Sequence, residues 1–176
     1  MEFDILYAIQ SIRSEWLDHF MLYYTTLGDS GLIWIFLAIG LIAFPATRFM
    51  GKVGLLALMI EVAVVTFTLK PLIERVRPCA IEAIQNPLVT NGCFTDPSFP
   101  SGHTASSFAV AFAIFCCNKK WGALALAAAA LMGFSRLYLF VHFPSDVIAG
   151  AVIGSFCGYL AWRLYDRYAT LKGEAH

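Results

Sequence analysis

Charged side chains are scarce in this chain. Asp, Glu, Lys and Arg make up only 14% of its 176 residues, whereas 59% are hydrophobic. Soluble proteins carry about 25% charged residues, and so few charges cannot cover a water-soluble domain that is this apolar. The 12 acidic and 12 basic residues also cancel, so no net field attracts nucleic acid. We predict an integral membrane protein with a single domain, residues 1–176.

Charge is nearly absent from five long stretches of the sequence. They are residues 31–47, 53–69, 104–118, 121–135 and 147–162, and Glu61 is the one charged residue within them. With one helical turn added, each reaches the roughly 20 residues that cross a bilayer. We therefore predict an all-α membrane bundle with five clear spans, in which Glu61 is hydrogen-bonded. The glycines Gly150, Gly154 and Gly158 predict close helix packing along the last span.

The first 30 residues are amphipathic, because apolar residues recur at helical spacing between polar ones. We predict that residues 14–28 form a short first helix of a core of about six helices. The alternative is a helix that lies in the membrane interface. Residues 1–15 lack the basic start of a cleavable signal peptide, so we expect the spans themselves to direct insertion.

Basic residues mark one side of the membrane. They follow the first, third and fifth stretches, as Arg48 and Lys52, Lys119 and Lys120, and Arg163, Arg167 and Lys172. These clusters share one side if every stretch crosses, and positive charge favours the cytoplasmic side. We predict a multi-pass protein of the plasma or inner membrane with a cytoplasmic C-terminus. Residues 71–101 and 141–145 then lie on the extracytoplasmic face.

The five cysteines form no CxxC pair and no Cys/His spacing typical of zinc, so no metal site is expected. Cys79 and Cys93 lie 14 residues apart in the predicted extracytoplasmic loop. We hypothesise a disulfide between them. The alternative is a pair of free thiols.

Three polar clusters interrupt the ends of the spans, where charge is costly unless it has a function. In the first, Lys70 and Arg77 are seven residues apart, so on a helix both would point the same way. We interpret them as a clamp for an anion. The alternative is a snorkelling lysine and a solvated arginine, and we expect the neighbouring Arg75 to be solvated.

The second cluster, Ser101-Gly102-His103, precedes the third stretch. Gly102 lets a ligand approach the backbone, and the free N–H groups at a helix start favour an anion. Ser101 can donate a hydroxyl hydrogen bond, and His103 can exchange a proton near neutral pH. The alternative is a simple helix cap formed by Ser101 or Thr104.

The third cluster contains Arg136, His142 and Asp146. Arg136 interrupts an apolar span and requires an anionic partner. A carboxylate four residues after His142 can hydrogen-bond its imidazole and make the other ring nitrogen more basic, as in an activated nucleophile. The alternative role for Asp146 is a helix cap.

All three clusters fall on one predicted membrane face. Cations and backbone N–H groups stabilise a tetrahedral oxyanion, and histidines can supply a nucleophile and an acid, so the combination fits phosphoryl transfer. Asp146 is the one carboxylate that we assign to the site, whereas a two-metal phosphatase needs several. We therefore expect neither a metal nor another cofactor.

The motifs together resemble the type 2 phosphatidic acid phosphatase family. They are Lys70-x6-Arg77-Pro78, Pro100-Ser101-Gly102-His103 and Ser135-Arg136-x5-His142-x3-Asp146. The resemblance implies a core of six helices and a metal-independent hydrolysis. It further implies that His142 attacks phosphorus, that Asp146 orients it, and that His103 protonates the leaving oxygen and later activates water. The implied phosphate-binding residues are Lys70, Arg77, Ser101, Gly102 and Arg136.

A site level with the membrane surface suits a lipid phosphate whose chains remain in the bilayer. Among the substrates that the resemblance implies, we favour undecaprenyl diphosphate, with phosphatidylglycerophosphate and phosphatidic acid as alternatives. A different class of function is an anion transporter that uses Lys70 and Arg136 along its pathway. A non-catalytic membrane scaffold is the third alternative.

Overall fold

The described part of the chain is helical. The computed structural model describes residues 1–82, 88–89 and 93–173, and no strand occurs within these ranges. The α-helices are α1 Glu2–Gln10, α2 Glu15–Leu27, α3 Leu32–Ala43, α4 Arg48–Glu61, α5 Lys70–Ile73, α6 Pro78–Ile81, α7 Gly102–Cys117, α8 Lys119–Tyr138 and α9 Pro144–Leu171. A 3₁₀ turn, Asp29–Gly31, joins α2 to α3, and a π-helix, Val62–Leu69, joins α4 to α5.

Helices form over all five charge-poor stretches, but they differ in length. Within the described residues, three helical segments are long and apolar enough to cross a membrane: Arg48–Ile81, Lys119–Tyr138 and Pro144–Leu171. A fourth crossing results if Glu15–Leu27 and Asp29–Ala43, which are bent by 49°, form one span. Helix α7 has 16 residues and is shorter. The membrane helices are therefore present, while five crossings remain a prediction.

Helix α7 lies at the centre of the bundle and packs against α4, α8 and α9. The glycine stripe of α9 lies directly against it. A Cβ atom added to Gly154 would lie 2.2 Å from the carbonyl oxygen of Ala105, and one added to Gly158 would lie 2.4 Å from that of Ala109. No side chain fits in this space, so the glycines allow α9 to approach the backbone of α7.

The N-terminal helices pack against the bundle. Leu6 on α1 is completely buried and joins a small apolar cluster with Phe140 and Phe143 at the turn between α8 and α9. On α2, the hydroxyl of Tyr24 donates to the carbonyl of Ala128 on α8 at 2.8 Å. The predicted short helix over 14–28 is thus present, and α1 covers one end of the bundle.

The chain changes direction between α5 and α6. Glu74 has a φ of 48°, in the left-handed region, and Arg77 is extended before Pro78 begins the next helix. The expectation that Lys70 and Arg77 lie on one continuous helix is therefore wrong. A proline disfavours the helical conformation for the residue before it, which accounts for the extended Arg77.

The loop beyond α6 is tied to that helix. In the structure, Cys79 of α6 and Cys93 are joined by a disulfide, with their Cα atoms 5.6 Å apart. The predicted loop 71–101 is described only in part, and its described residues include α6 and all of α5 except Lys70.

Candidate active site

A cavity of about 420 Å³ opens at the end of the bundle where α7 begins and α8 ends. Six of the eight side chains or backbone positions predicted for the site line it: Lys70, Arg77, Gly102, His103, Arg136 and His142. The fold therefore brings together residues from all three sequence clusters. The remaining two, Ser101 and Asp146, are completely buried behind the cavity wall.

His142 lies in the turn between α8 and α9 and is 1% exposed. The Nη1 atom of Arg77 is 3.0 Å from its Nε2. A guanidinium only donates hydrogen bonds, so Nε2 is the unprotonated nitrogen and Nδ1 carries the hydrogen. Burial lowers the pKa of His142 well below its ordinary range, and the charges of Arg136 and Arg77 act in the same direction. The ring is therefore neutral at pH 7.

Asp146 approaches His142 without bonding it directly. Its Oδ2 lies 3.7 Å from Nδ1 of His142, which is beyond hydrogen-bonding distance. The hydroxyl of Ser98 lies between them, 2.5 Å from Oδ2 and 3.3 Å from Nδ1. The direct carboxylate–imidazole bond expected from the sequence is thus replaced by a chain through Ser98. Oδ2 also accepts from the Phe143 N–H at 2.9 Å, so Asp146 is a helix cap as well.

Arg75 is not solvated, and the expectation from the sequence is wrong. Its Nη1 donates to Oδ1 of Asp146 at 2.6 Å, and its Nη2 donates to Glu2 at 2.6 Å. The guanidinium also lies 4.1 Å from the ring centroid of Phe143. Its two acidic partners are 71 and 73 residues away in sequence, so no local pattern indicated them.

The predicted anion clamp holds a carboxylate of the chain itself. Asp96 forms ion pairs with both Lys70 and Arg77, and its Oδ1 accepts from Arg77 Nη2 at 2.9 Å. Its backbone carbonyl accepts from Arg77 Nε at 3.0 Å. Burial opposes ionisation of Asp96, but the hydrogen bond from Lys70 and the charge of Arg77 outweigh it and lower the pKa of this carboxyl. The two cations therefore meet through Asp96 rather than through a shared helix face.

His103 and Arg136 face the cavity from α7 and α8. Nε2 of His103 lies 2.9 Å from Oδ1 of Asp29 in the turn after α2. Arg136 is 3% exposed, and its Nη1 donates to the hydroxyl of Thr25 at 2.6 Å. Its Nε has no hydrogen-bond partner among the described residues. Buried polar groups are almost always paired, so this buried donor is an exception, while Arg136 itself lines the cavity.

Ser101 and Gly102 occupy different surroundings. The Ser101 hydroxyl accepts from Thr104 Oγ1 at 3.0 Å. The backbone N–H of Ser101 donates to the backbone carbonyl of Asp146 at 3.1 Å. Ser101 therefore braces the start of α7 behind the cavity wall. Gly102 lines the cavity, and a Cβ added to it would meet only Lys70 Cε, at 4.0 Å. The space beside Gly102 is consequently open towards the cavity.

Glu61 also lines the cavity, from the end of α4. It is 2% exposed, and its carboxylate forms no hydrogen bond with the described residues. The hydrogen-bonded Glu61 that the sequence predicts therefore stays a prediction. Glu61 and Asp96 are thus two acidic residues that line the cavity beside its cations and histidines.

Comparisons with known proteins identify the family. The model of the PAP2 superfamily matches residues 51–169. The lipid A 4'-phosphatase of Bacteroides thetaiotaomicron is 31% identical over 171 residues, which cover 89% of this chain and 73% of the relative. The undecaprenyl-diphosphatase BcrC of Bacillus subtilis is 28% identical, with 94% of this chain and 85% of the relative covered.

A solved structure shows the same fold. The crystal structure of Aquifex aeolicus LpxE matches with a TM-score of 0.80 and 32% identity, over 92% of this chain and 94% of that chain. The chain belongs to the PAP2 superfamily. The resemblance drawn from the three motifs is therefore confirmed.

Proposed function

We propose that this chain is a membrane lipid phosphatase that uses His142 as its nucleophile. The observation that carries the proposal is a neutral, buried His142 whose unprotonated Nε2 adjoins a cavity lined by Lys70, Arg77 and Arg136. A lone pair beside three cations is suited to attack on the phosphorus of a phosphate group. The family match and the phosphatase names of the two relatives agree with this chemistry.

In the first step, Nε2 of His142 forms a bond to phosphorus while the bond to the leaving oxygen breaks. His103 faces the same cavity and gives its proton to that oxygen. Arg136, which lines the cavity, supplies a donor to a phosphate oxygen. Charge that develops on the phosphoryl oxygens is thereby neutralised within the cavity.

In the second step, water attacks the phosphohistidine. His103 takes the proton of the water, the phosphorus–nitrogen bond breaks, and inorganic phosphate leaves. Throughout both steps Nδ1 of His142 retains its hydrogen, which Ser98 and Asp146 stabilise through their hydrogen-bond chain. No step in this scheme requires a metal ion.

We favour undecaprenyl diphosphate as the substrate, converted to undecaprenyl phosphate. A relative whose match covers 94% of this chain is named an undecaprenyl-diphosphatase, which supports this choice. The alternatives are phosphatidylglycerophosphate and phosphatidic acid. Lipid A joins them, because the 31% identical relative is named a lipid A 4'-phosphatase. An anion transporter and a non-catalytic scaffold are the alternatives of another class.

Phosphate release from purified protein in detergent tests the proposal. The panel contains undecaprenyl diphosphate, phosphatidylglycerophosphate, phosphatidic acid and lipid A, each with and without EDTA. We expect EDTA-resistant release that falls by about 10³-fold or more in His142→Ala. The matched control is His19→Ala, because His19 is an exposed histidine of α2 outside the cavity.

The other outcomes are equally informative. Release that needs a divalent metal, or that survives the loss of His142, contradicts the histidine mechanism. Release from none of the lipids favours the transporter or the scaffold. Labelling with a phosphorus-32 lipid and quenching in alkali should trap a base-stable, acid-labile phosphoenzyme in the parent chain but not in His142→Ala.

A further inference from the structure

Arg75 connects the N-terminal helix to the buried carboxylate of the candidate site. Its Nη1 donates to Asp146 Oδ1 and also to the Ser145 hydroxyl, each at 2.6 Å. Its Nη2 donates to Glu2 Oε2 at 2.6 Å. The other oxygen of Glu2 accepts from the Ser145 hydroxyl at 2.6 Å and from its N–H at 3.2 Å. These contacts form a closed ring between α1, the segment before α6 and the start of α9.

The two oxygens of Asp146 have different partners. Oδ2 accepts from Ser98 and from the Phe143 N–H, and this oxygen faces His142. Oδ1 accepts from Arg75, its one donor among the described residues. Asp146 is completely buried, and a buried carboxylate requires pairing and hydrogen bonds on both oxygens. Arg75 therefore fixes the rotation of the Asp146 carboxylate. This rotation places the other oxygen, Oδ2, where it accepts from Ser98 and faces His142.

The position of Arg75 is itself constrained from three sides. Phe143 lies under its guanidinium at 4.1 Å from the ring centroid. Glu2 holds its second nitrogen, and Glu2 is placed by α1, whose Leu6 is completely buried against the turn between α8 and α9. A planar guanidinium can bridge two carboxylates and stack on a ring at once, which an ammonium group cannot do.

We propose that Arg75 is a positioning residue for Asp146 and His142, and that Glu2 on α1 holds Arg75 in place. The N-terminal helix is then part of the catalytic apparatus rather than a membrane anchor alone. This inference rests on the proposed phosphatase function. Arg75 does not line the cavity, so its loss should lower kcat and leave KM nearly unchanged.

The test compares kcat and KM of four variants with the parent chain. Arg75→Gln should lower kcat by about 10²-fold, because a displacement of the reacting group near 1 Å costs about that much. Arg75→Lys keeps the charge without the bridge and should recover part of the loss. Glu2→Lys repels Arg75 and should lower kcat by about 10-fold, whereas Glu2→Gln, which still accepts hydrogen bonds, should stay within about 3-fold.

The pH profile separates positioning from a general loss of structure. The charged and titratable groups around His142 and Asp146 come from several neighbouring segments: Glu2, Asp29, Glu61, Lys70, Arg75, Arg77, Asp96, His103 and Arg136. Removal of one nearby cation lets the pair take up a proton at higher pH. The acid limb of kcat/KM should therefore move towards higher pH in Arg75→Gln, by about one unit, and less in Arg75→Lys.

Arg13→Gln is the matched control, since Arg13 forms an ion pair with Asp18 of α2 at 3.0 Å, whereas Asp146 is paired with Arg75. It should keep the parent kcat and pH profile. An Arg75→Gln protein that retains its thermal midpoint, its kcat and its pH profile overturns the inference, while an inactive His142→Ala in the same assay leaves the proposed function standing. An active His142→Ala overturns the proposed function instead.

Discussion

At the scale of single residues, Asp96 is paired with Lys70 and Arg77, the two cations that a substrate phosphate is predicted to use. A phosphate that binds between them must displace the Asp96 carboxylate or share its partners. We therefore predict that a bound anion and Asp96 compete for these two positive charges.

Replacement of Asp96 should strengthen anion binding. In Asp96→Asn the charge that competes for Lys70 and Arg77 is lost, while the side-chain size is kept. We expect orthovanadate, a tetrahedral oxyanion, to inhibit with a constant lower by about tenfold, equivalent to about 1.4 kcal/mol. Asp4→Asn is the control, because Asp4 is exposed and its ion pair is with the N-terminal amine, away from Lys70 and Arg77. An inhibition constant unchanged in Asp96→Asn would contradict the competition.

The pH dependence of the reaction follows from His142. In the proposed mechanism the neutral ring is the attacking form, and burial lowers the pKa of His142. A lowered pKa means that the ring stays neutral as the pH falls through about 6.5, the ordinary value for histidine. We expect kcat/KM measured from pH 4.5 to 8 to show its acid limb below that value. A limb at or above the ordinary value would show that His142 is more solvated than the structure indicates.

At the scale of helices, the contact between α7 and α9 decides how closely the site residues approach one another. Both helices begin at the site, with His103 on α7 and Asp146 on α9. The glycines of α9 lie against backbone atoms of α7. Backbone atoms cannot rotate away as a side chain can, so the contact leaves no room for a Cβ atom. The stripe thus sets the spacing of two helix starts that carry site residues.

One added methyl group should disturb this contact. Gly154→Ala would place Cβ 2.2 Å from the Ala105 carbonyl oxygen. Overpacking costs about 1–3 kcal/mol, so we expect the thermal midpoint in detergent to fall by about 4 °C or more. Gly40→Ala on α3 is the control, since a Cβ there has nothing within 4 Å. An equal midpoint for both variants would mean that α9 can shift without cost.

At the scale of the whole molecule, the placement of basic residues predicts which end of the bundle faces outward. The candidate site lies near the loop 93–100 and the turn after α8, whereas the clusters containing Arg48, Lys119 and Arg167 begin or end helices away from it. Positive charge favours the cytoplasmic side. The cavity is therefore predicted to be extracytoplasmic.

Thiol labelling of intact cells tests this orientation. Thr95→Cys, near the cavity, should react with a membrane-impermeant maleimide, whereas Thr170→Cys at the end of α9 should react only after the cells are opened. Both positions are exposed. The parent chain measures the background from Cys116, Cys117 and Cys157, which are outside the disulfide. The reverse labelling pattern would place the site on the cytoplasmic side.

The sequence by itself determined the helical class, the family and the cations and histidines that line the candidate site. Uncharged, apolar stretches indicate helices because their length and their periodicity can be read from neighbouring residues alone. The three motifs identified five residues from their spacing in the sequence alone. These residues, Lys70, Arg77, His103, Arg136 and His142, all line one cavity.

Only the tertiary structure decided which charges meet. Asp96 joins Lys70 and Arg77 from 26 and 19 residues away, and Arg75 joins Glu2 and Asp146 from more than 70. Ser98 lies close to Ser101 in sequence, but its place between His142 and Asp146 depends on how the loop returns to the start of α7. Such pairings depend on the distances between segments of the folded chain. Helix packing sets these distances, and they cannot be read from the spacing of residues in the sequence.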